Sequence, residues 1–247
     1  MYLFDNLLNR IGFNEYRSFR AYDRHLDSRL RANPGDRDLA FAQAIGSQTL
    51  EGFVSQGDGH VAVLKHHGLA EGMAIFDLGC GCGRTAQALQ RSGWQGSYTG
   101  VDVIERFVAE LRTKCPGYQA FRHRSSSVPM PDESLDMLFH WSVFTHLAPE
   151  ECYLYMQDMF RALKPGGKLV FSFIELTDSE HWTIFDNRLS RITRRRKLGL
   201  LDTFLHRDWI RIWAKRIGFS EPAFTDGRDG TNHAPFWQSL VAMTKPS

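Results

Sequence analysis

Asp77-Leu78-Gly79-Cys80-Gly81-Cys82-Gly83 closes the short apolar run Ala74–Leu78 and opens onto the helix-like stretch Arg84–Arg91. A glycine-rich turn between strand and helix lets the backbone approach a ligand closely and adopt angles that side chains bar. Amide N–H groups at the helix start then attract an anionic group such as a carboxylate. Two acids sharpen the reading. Asp77 stands two residues before the first glycine, where it can face a cationic amino group. Asp102 ends the next strand, nineteen residues beyond Gly83, where a carboxylate accepts bonds from ribose hydroxyls. A nicotinamide-dinucleotide site uses the same crevice with G-x-G-x-x-G. Here the third glycine comes one residue early and an acid precedes the loop, which disfavours a dinucleotide.

Outward from the loop, the chain alternates. Tyr98–Val103, Gln119–His123, Leu135–His140 and Lys168–Ile174 read as further strands. Amphipathic helices fall between them, one carrying Phe107, Val108 and Leu111 and one running from about Pro149 to Leu163. That alternation predicts a parallel sheet with crossover helices. Asp208 is read as the cap of a helix reaching about Ile217. Two strand-like pieces, Phe219–Thr225 and Phe236–Thr244, close the chain without a helix between them and predict an antiparallel pair at the sheet edge. Residues 1–70 read as a helical extension: Leu3, Phe4, Leu7, Leu8 and Ile11 recur at helical spacing, Asn33-Pro34-Gly35-Asp36 marks a turn, and His60–His67 a further helix. The expected organisation is an extension over 1–70 and an α/β domain over 71–247, with a cap inserted at about 177–207.

Composition bounds the function. The 247 residues, 43% hydrophobic and 23% charged, suit one globular α/β domain with decorations. A net charge of +2 gives no global argument for nucleic acid or membrane. Its distribution is uneven: ten Lys/Arg against two acids lie between Arg188 and Arg216. Four cysteines, of which Cys80 and Cys82 lack CxxC spacing, read as reduced thiols of a cytoplasmic protein. The opening Met1–Arg10 does not read as a secretory signal, and no stretch approaches the length of a bilayer span. No histidine pair has metal-binding spacing, and His66-His67 is adjacent only by sequence, so no metal is expected.

The order of motifs resembles the class I S-adenosylmethionine-dependent methyltransferases over roughly residues 50–245. Ile75–Arg84 is similar to their first motif, Gly100-Val101-Asp102 to the second, Pro129–Asp136 to the segment entering the fourth strand, and Leu163–Leu169 to the turn before the fifth. The resemblance implies a Rossmann-like seven-stranded, mostly parallel sheet with an antiparallel last strand, and S-adenosylmethionine as cofactor. It implies cofactor contacts at Asp77, Gly79, Cys80, Gly81, Arg84, Asp102, Val103, Ser126, Ser127, Val128, His140 and Trp141. Many relatives carry an Asp for the adenine amino group where this chain has Arg124-Ser125-Ser126-Ser127; a serine hydroxyl or a carbonyl can substitute. The Ser142–Leu147 stretch looks like bacterial members acting on sugars, glycans or other small metabolites.

Methyl transfer from a sulfonium is an in-line displacement, and an alcohol acceptor also needs a base. His140 is the first candidate, since it ends the fourth strand beside the crevice. Glu175 and His181 follow the fifth strand and are candidates on the same ground. His146 reads as packing or an indirect contact, and His233 lies in the last loop. Tyr16, Phe19, Tyr22 and Phe53 are candidate walls of the acceptor pocket. In the cap, Arg191, Arg194, Arg195, Arg196 and Lys197 form either a solvated face or a site for a phosphorylated or carrier-linked small molecule. Trp182, Phe185, Phe204, Trp209 and Trp213 read as cap core. The expected partner is a small-molecule acceptor, with neither membrane nor nucleic acid. Two alternatives stay open: a nucleic-acid methyltransferase using the basic cap, and a cofactor-binding module without catalysis.

Overall fold

The computed structural model describes residues 13–195 and 201–247, with side chains from Phe19 onward. The expected helix around Leu3–Ile11, the side chain of Tyr16, and Arg196 and Lys197 lie outside the described residues. Three helices come first: α1 (Phe13–Ala32), α2 (Arg37–Ala44) and α3 (Leu50–His66). The turn at Asn33–Asp36 separates the first two. Asp36 caps α2 by accepting from the Leu39 N–H, and Thr49 caps α3 by accepting from the Gly52 N–H.

Five strands and their crossovers follow: β1 (Ala74–Leu78), α4 (Arg84–Arg91), β2 (Ser97–Asp102), α5 (Glu105–Lys114), β3 (Gln119–Arg122), β4 (Leu135–His140), α6 (Pro149–Ala162) and β5 (Leu163–Phe173). Beyond them lie α7 (Trp182–Thr193), α8 (Arg207–Ile217), β6 (Ala223–Thr225) and β7 (Ser239–Thr244). The sheet order is β3-β2-β1-β4-β5-β7-β6. Strand β7 runs antiparallel to both β5 and β6, so it slots between them rather than lying outermost. Because β1 has β2 on one side and β4 on the other, the chain reverses its winding there. Ligands of doubly wound sheets bind at the carboxyl ends of the strands flanking such a reversal.

Alternation along the buried strands sorts side chains to two faces. Phe76, Leu138, Leu169 and Phe171 pack on one face with Met156 and Met159 of α6 and Ile210 and Ala214 of α8. Ile75, Met137, Phe139 and Val170 pack on the other, beneath Val61 and Leu64 of α3, Leu89 of α4 and Leu111 of α5. A third cluster, Leu26, Phe41, Phe53, Ile104 and Phe107, joins the first helices to the glycine loop.

Three expectations are corrected. The cap of α8 is the His206 side chain, which accepts from the Asp208 N–H; Asp208 sits inside the first turn. Strand β7 begins at Ser239, not at Phe236. The cap aromatics do not form a buried core: Trp182 is 43% and Trp209 46% exposed, and no residue of α7 is buried.

Candidate functional site

The glycine loop turns through left-handed backbone angles. Gly79, Gly81 and Gly83 have φ of 72°, 54° and 90°, and a Cβ at Gly79 would stand 2.4 Å from Val143 Cγ2. Only glycine tolerates both the angle and the contact. The Gly79 and Cys80 N–H groups both donate to the Val101 carbonyl, and the Gly81 N–H donates to Asp102 Oδ2 at 3.0 Å. The second oxygen of Asp102 accepts from the Ile104 N–H. Loop and acid are therefore one rigid unit.

This unit opens into a cavity of about 910 Å³. Asp77, Gly79, Cys80, Gly81, Arg84, Asp102, Val103 and Trp141 all line it. Asp77 is 2% exposed, and its Oδ2 accepts from the Tyr98 phenol at 2.7 Å. Burial pushes its pKa up to about 8, against the Tyr98 bond and with help from the Asp102 charge. Burial also lifts Asp102 to about 6, opposed by the amide N–H bonds it accepts. Arg84 donates to the Ile45 carbonyl at 2.6 Å and so ties the loop helix to the end of α2.

Other anticipated contacts fall elsewhere. Ser126, Ser127 and Val128 do not line the cavity; Val128 is buried in the core and Ser127 Oγ lies 2.9 Å from His123 Nε2. His123 is the residue that reaches the wall at this end, with its N–H donating to the Asp102 carbonyl. The serine run signalled the place but not the side chain that faces inward. Of the wall candidates, Phe19 and Tyr22 line the cavity, whereas Phe53 is buried beneath Arg84.

The three residues read as bases also need correction. His140 is fully buried, stacked on Phe171 at 4.8 Å between centroids, and neither ring nitrogen has a partner. Burial drives its pKa down to about 3, so the ring is neutral core material, off the cavity wall. Glu175 is sequestered too. Arg207 pairs with it at 2.7 Å, and Ser239 and Thr177 donate to it at 2.6 and 2.8 Å. Burial raises its pKa, but those donors outweigh burial and hold it below the ordinary carboxylate range. His181 donates from Nε2 to the Trp237 carbonyl at 2.9 Å and accepts the Glu175 N–H on Nδ1. Glu175, Arg207 and His181 thus knot the start of the cap to the last strand. His233 is also largely buried, beside the Ala234 carbonyl.

His25, His60, His123 and His146 line the cavity, and of these His146 stands on the one-turn 3-10 helix Phe144–His146 that follows β4. A carbonyl can only accept, so its Nδ1–H donates to Leu201 O at 2.8 Å and leaves Nε2 as the lone-pair nitrogen. Burial lowers its pKa, partly offset by the Leu201 carbonyl and Asp202. Tyr22 meets the ring edge-on at 5.6 Å. Burial, reinforced by Asp102 and Asp202, pushes the Tyr22 phenol well above its ordinary range, so it stays a donor. Opposite lies the segment Ala234–Gln238, whose Gln238 Oε1 accepts from Ser172 and Ser142 at 2.6 and 3.1 Å. The cavity wall therefore combines two kinds of lining: glycines and acids, and Tyr22, His146 and Asp202 among apolar side chains. Among the described residues no group of side chains could hold a metal ion.

Residues 75–167 match the family model of a methyltransferase domain. The demethylmenaquinone methyltransferase of Tropheryma whipplei (strain Twist) is 31% identical over 111 residues, which cover 44% of this chain and 45% of that protein. A tRNA N(3)-cytidine methyltransferase of Gallus gallus is 33% identical over 109 residues, 39% of this chain and 29% of that protein. The chain thus spans half or less of the length of these two curated relatives. Among solved structures, the magnesium protoporphyrin IX methyltransferase of Synechocystis PCC 6803 with bound SAH superposes over 99% of both chains, with a TM-score of 0.56 at 16% identity. That likeness is one of fold.

Proposed function

We propose that the protein, whose residues 75–167 match a methyltransferase-domain model, is a class I S-adenosylmethionine-dependent methyltransferase that methylates an oxygen or nitrogen of a small molecule held beside His146 in its cavity. When bound, the cofactor supplies a methyl carbon on a sulfonium that leaves as a neutral thioether. The residues present fit it. Gly79 and Gly81 bring bare backbone to the cavity wall, Asp77 can hold an ammonium, and Asp102 can accept from ribose hydroxyls. His123, joined to Asp102 on the same wall, would be the partner of the adenine edge. Tyr22 and the Ala234–Gln238 segment would orient the acceptor, and apolar neighbours such as Ile184 would exclude water.

The observation that carries the catalytic reading is the hydrogen bond from His146 to the Leu201 carbonyl. It fixes one tautomer, and with its pKa lowered the ring is neutral near pH 7 with Nε2 able to take a proton. With the cofactor bound, Nε2 of His146 would take the proton of an alcohol acceptor as its oxygen gains the methyl group, and would pass it to solvent. Four free, buried cysteines support a reducing, cytoplasmic setting.

Calorimetry with S-adenosylmethionine, S-adenosylhomocysteine and NADH tests the cofactor: the first two should bind and NADH should not. His146→Gln should cut turnover on an alcohol acceptor by roughly 10²–10⁴ while leaving S-adenosylhomocysteine affinity unchanged. Binding of NADH alone would overturn the function, and full turnover in His146→Gln would remove the base.

A further inference from the structure

We infer that the outer face of α7 is a membrane-contact surface, which docks the protein on an anionic lipid bilayer beside its acceptor cavity. Trp182, Phe185, Leu189 and Ile192 follow one another at spacings of three, four and three. At 3.6 residues per turn they fall within an arc of about 80°. A stripe of this kind normally faces a core. Here it faces water: Trp182, Leu189 and Ile192 are 43%, 49% and 56% exposed. Leu176, just before the cap, and Leu201, within it, are also exposed at 44% and 46%. Meanwhile Ile184, on another side of the same helix, lines the cavity. One short helix therefore separates the cavity from an apolar outer surface.

Charge selects the occupant. Arg194 and Arg195 are exposed just past the C-terminal end of the stripe, and Asp186 is the single acid from Trp182 to Arg195. Tryptophan and aliphatic side chains flanked by arginines match an amphipathic helix lying in the plane of a bilayer, its apolar side in the acyl boundary and its cations among anionic headgroups. With 12 residues it can lie on a membrane but not cross one, and no described helix is long and apolar enough to cross. RNA would use the cations and a stacking ring but gain nothing from Leu189, Ile192 and Leu176. The charge of the whole chain, +2, masks this local complementarity. The consequence for chemistry rests on the methyltransferase reading: the acceptor is an amphiphile, drawn from the bilayer with its polar head entering toward His146.

Co-sedimentation of the full chain with vesicles of phosphatidylcholine alone, and of phosphatidylcholine mixed with phosphatidylglycerol, tests the surface. Binding should be confined to the mixed vesicles and fall as salt rises. The triple variant Trp182→Ser/Leu189→Ser/Ile192→Ser should lose nearly all of it. Arg194→Glu/Arg195→Glu should lose tenfold or more, at about fivefold for each cation removed. Both variants should keep wild-type affinity for S-adenosylhomocysteine, which shows that the fold survives. Equal partition into both vesicle types, wild-type binding by either variant, or tighter binding to single-stranded RNA than to mixed vesicles would overturn the proposal. Vesicle binding without S-adenosylhomocysteine binding would instead fault the methyltransferase reading and leave the surface standing.

Discussion

Asp77 and His140 are both buried titratable groups, and they respond to pH in opposite ways. With its pKa at about 8, the Asp77 carboxyl is mostly protonated at neutral pH while no cation faces it. An ammonium ligand favours the carboxylate, so binding at pH 7 should expel up to one proton, and affinity should rise with pH toward 8. At still higher pH the ligand's own amine loses its charge. Calorimetry of S-adenosylhomocysteine in two buffers of different protonation enthalpy checks this; identical heats would refute it. Asp77→Asn should abolish the proton release and weaken binding tenfold or more. His140 is depressed to about 3 from an ordinary 6.5. A depressed histidine contributes stability above pH 6.5 that is lost as pH falls toward 3, because the unfolded chain takes up the proton first. His140→Phe should therefore stay within about 1.5 kcal/mol of wild type at pH 7. Its acid unfolding between pH 6.5 and 3 should be shallower, and its S-adenosylhomocysteine affinity unchanged. Equal acid sensitivity in a urea titration would contradict it. The strand pattern located the carboxyl end of β4 correctly, yet His140 and Phe139 alternate between faces that are both buried. Trp141, the next residue, lines the cavity, and the histidine that does so after β4 comes six residues later, on a turn with no sequence period.

Elements show the same division between pattern and context. The alternation of β1 through β5 was readable because buried strands and amphipathic helices have periods. The segment Gly227–Gln238 has none. Phe236, Trp237 and Gln238 look like the start of a strand, but the Phe236 and Trp237 N–H groups both donate to the Gly227 carbonyl. Trp237 takes a φ of 72°, and the chain bulges into the cavity wall before β7 begins. A Cβ on Gly227 would stand 2.0 Å from the Trp237 carbonyl oxygen, so this glycine permits the crossing. Gly227→Ala should cost about 2 kcal/mol in urea unfolding. It should also raise the acceptor KM more than it lowers cofactor affinity, since the loop it displaces would orient the acceptor. An unaltered midpoint would show that the loop relaxes without strain. The cap aromatics misled for a related reason: aromatic content marks burial on average, and α7 spends its stripe on an outer surface instead.

Across the whole molecule, the glycines and acids of the cavity wall were readable as one motif because they lie close in sequence, from Asp77 to Asp102. Tyr22 was anticipated as a wall residue, but its grouping with His146, Asp202 and Gln238 was not, because these come from four distant stretches that only the fold assembles. The stretch after the cap runs back along the strand ends. The Thr203 N–H donates to Thr145 O, the Thr203 hydroxyl to Leu147 O, and Leu205 N–H to Ile174 O. At its other end the cap is pinned by His181 to Glu175 and Trp237. Both anchorages are made to the strand ends and not to the glycine loop. If the proposed acceptor site is right, replacing α7 between them should change which acceptor is methylated while leaving S-adenosylhomocysteine affinity unchanged.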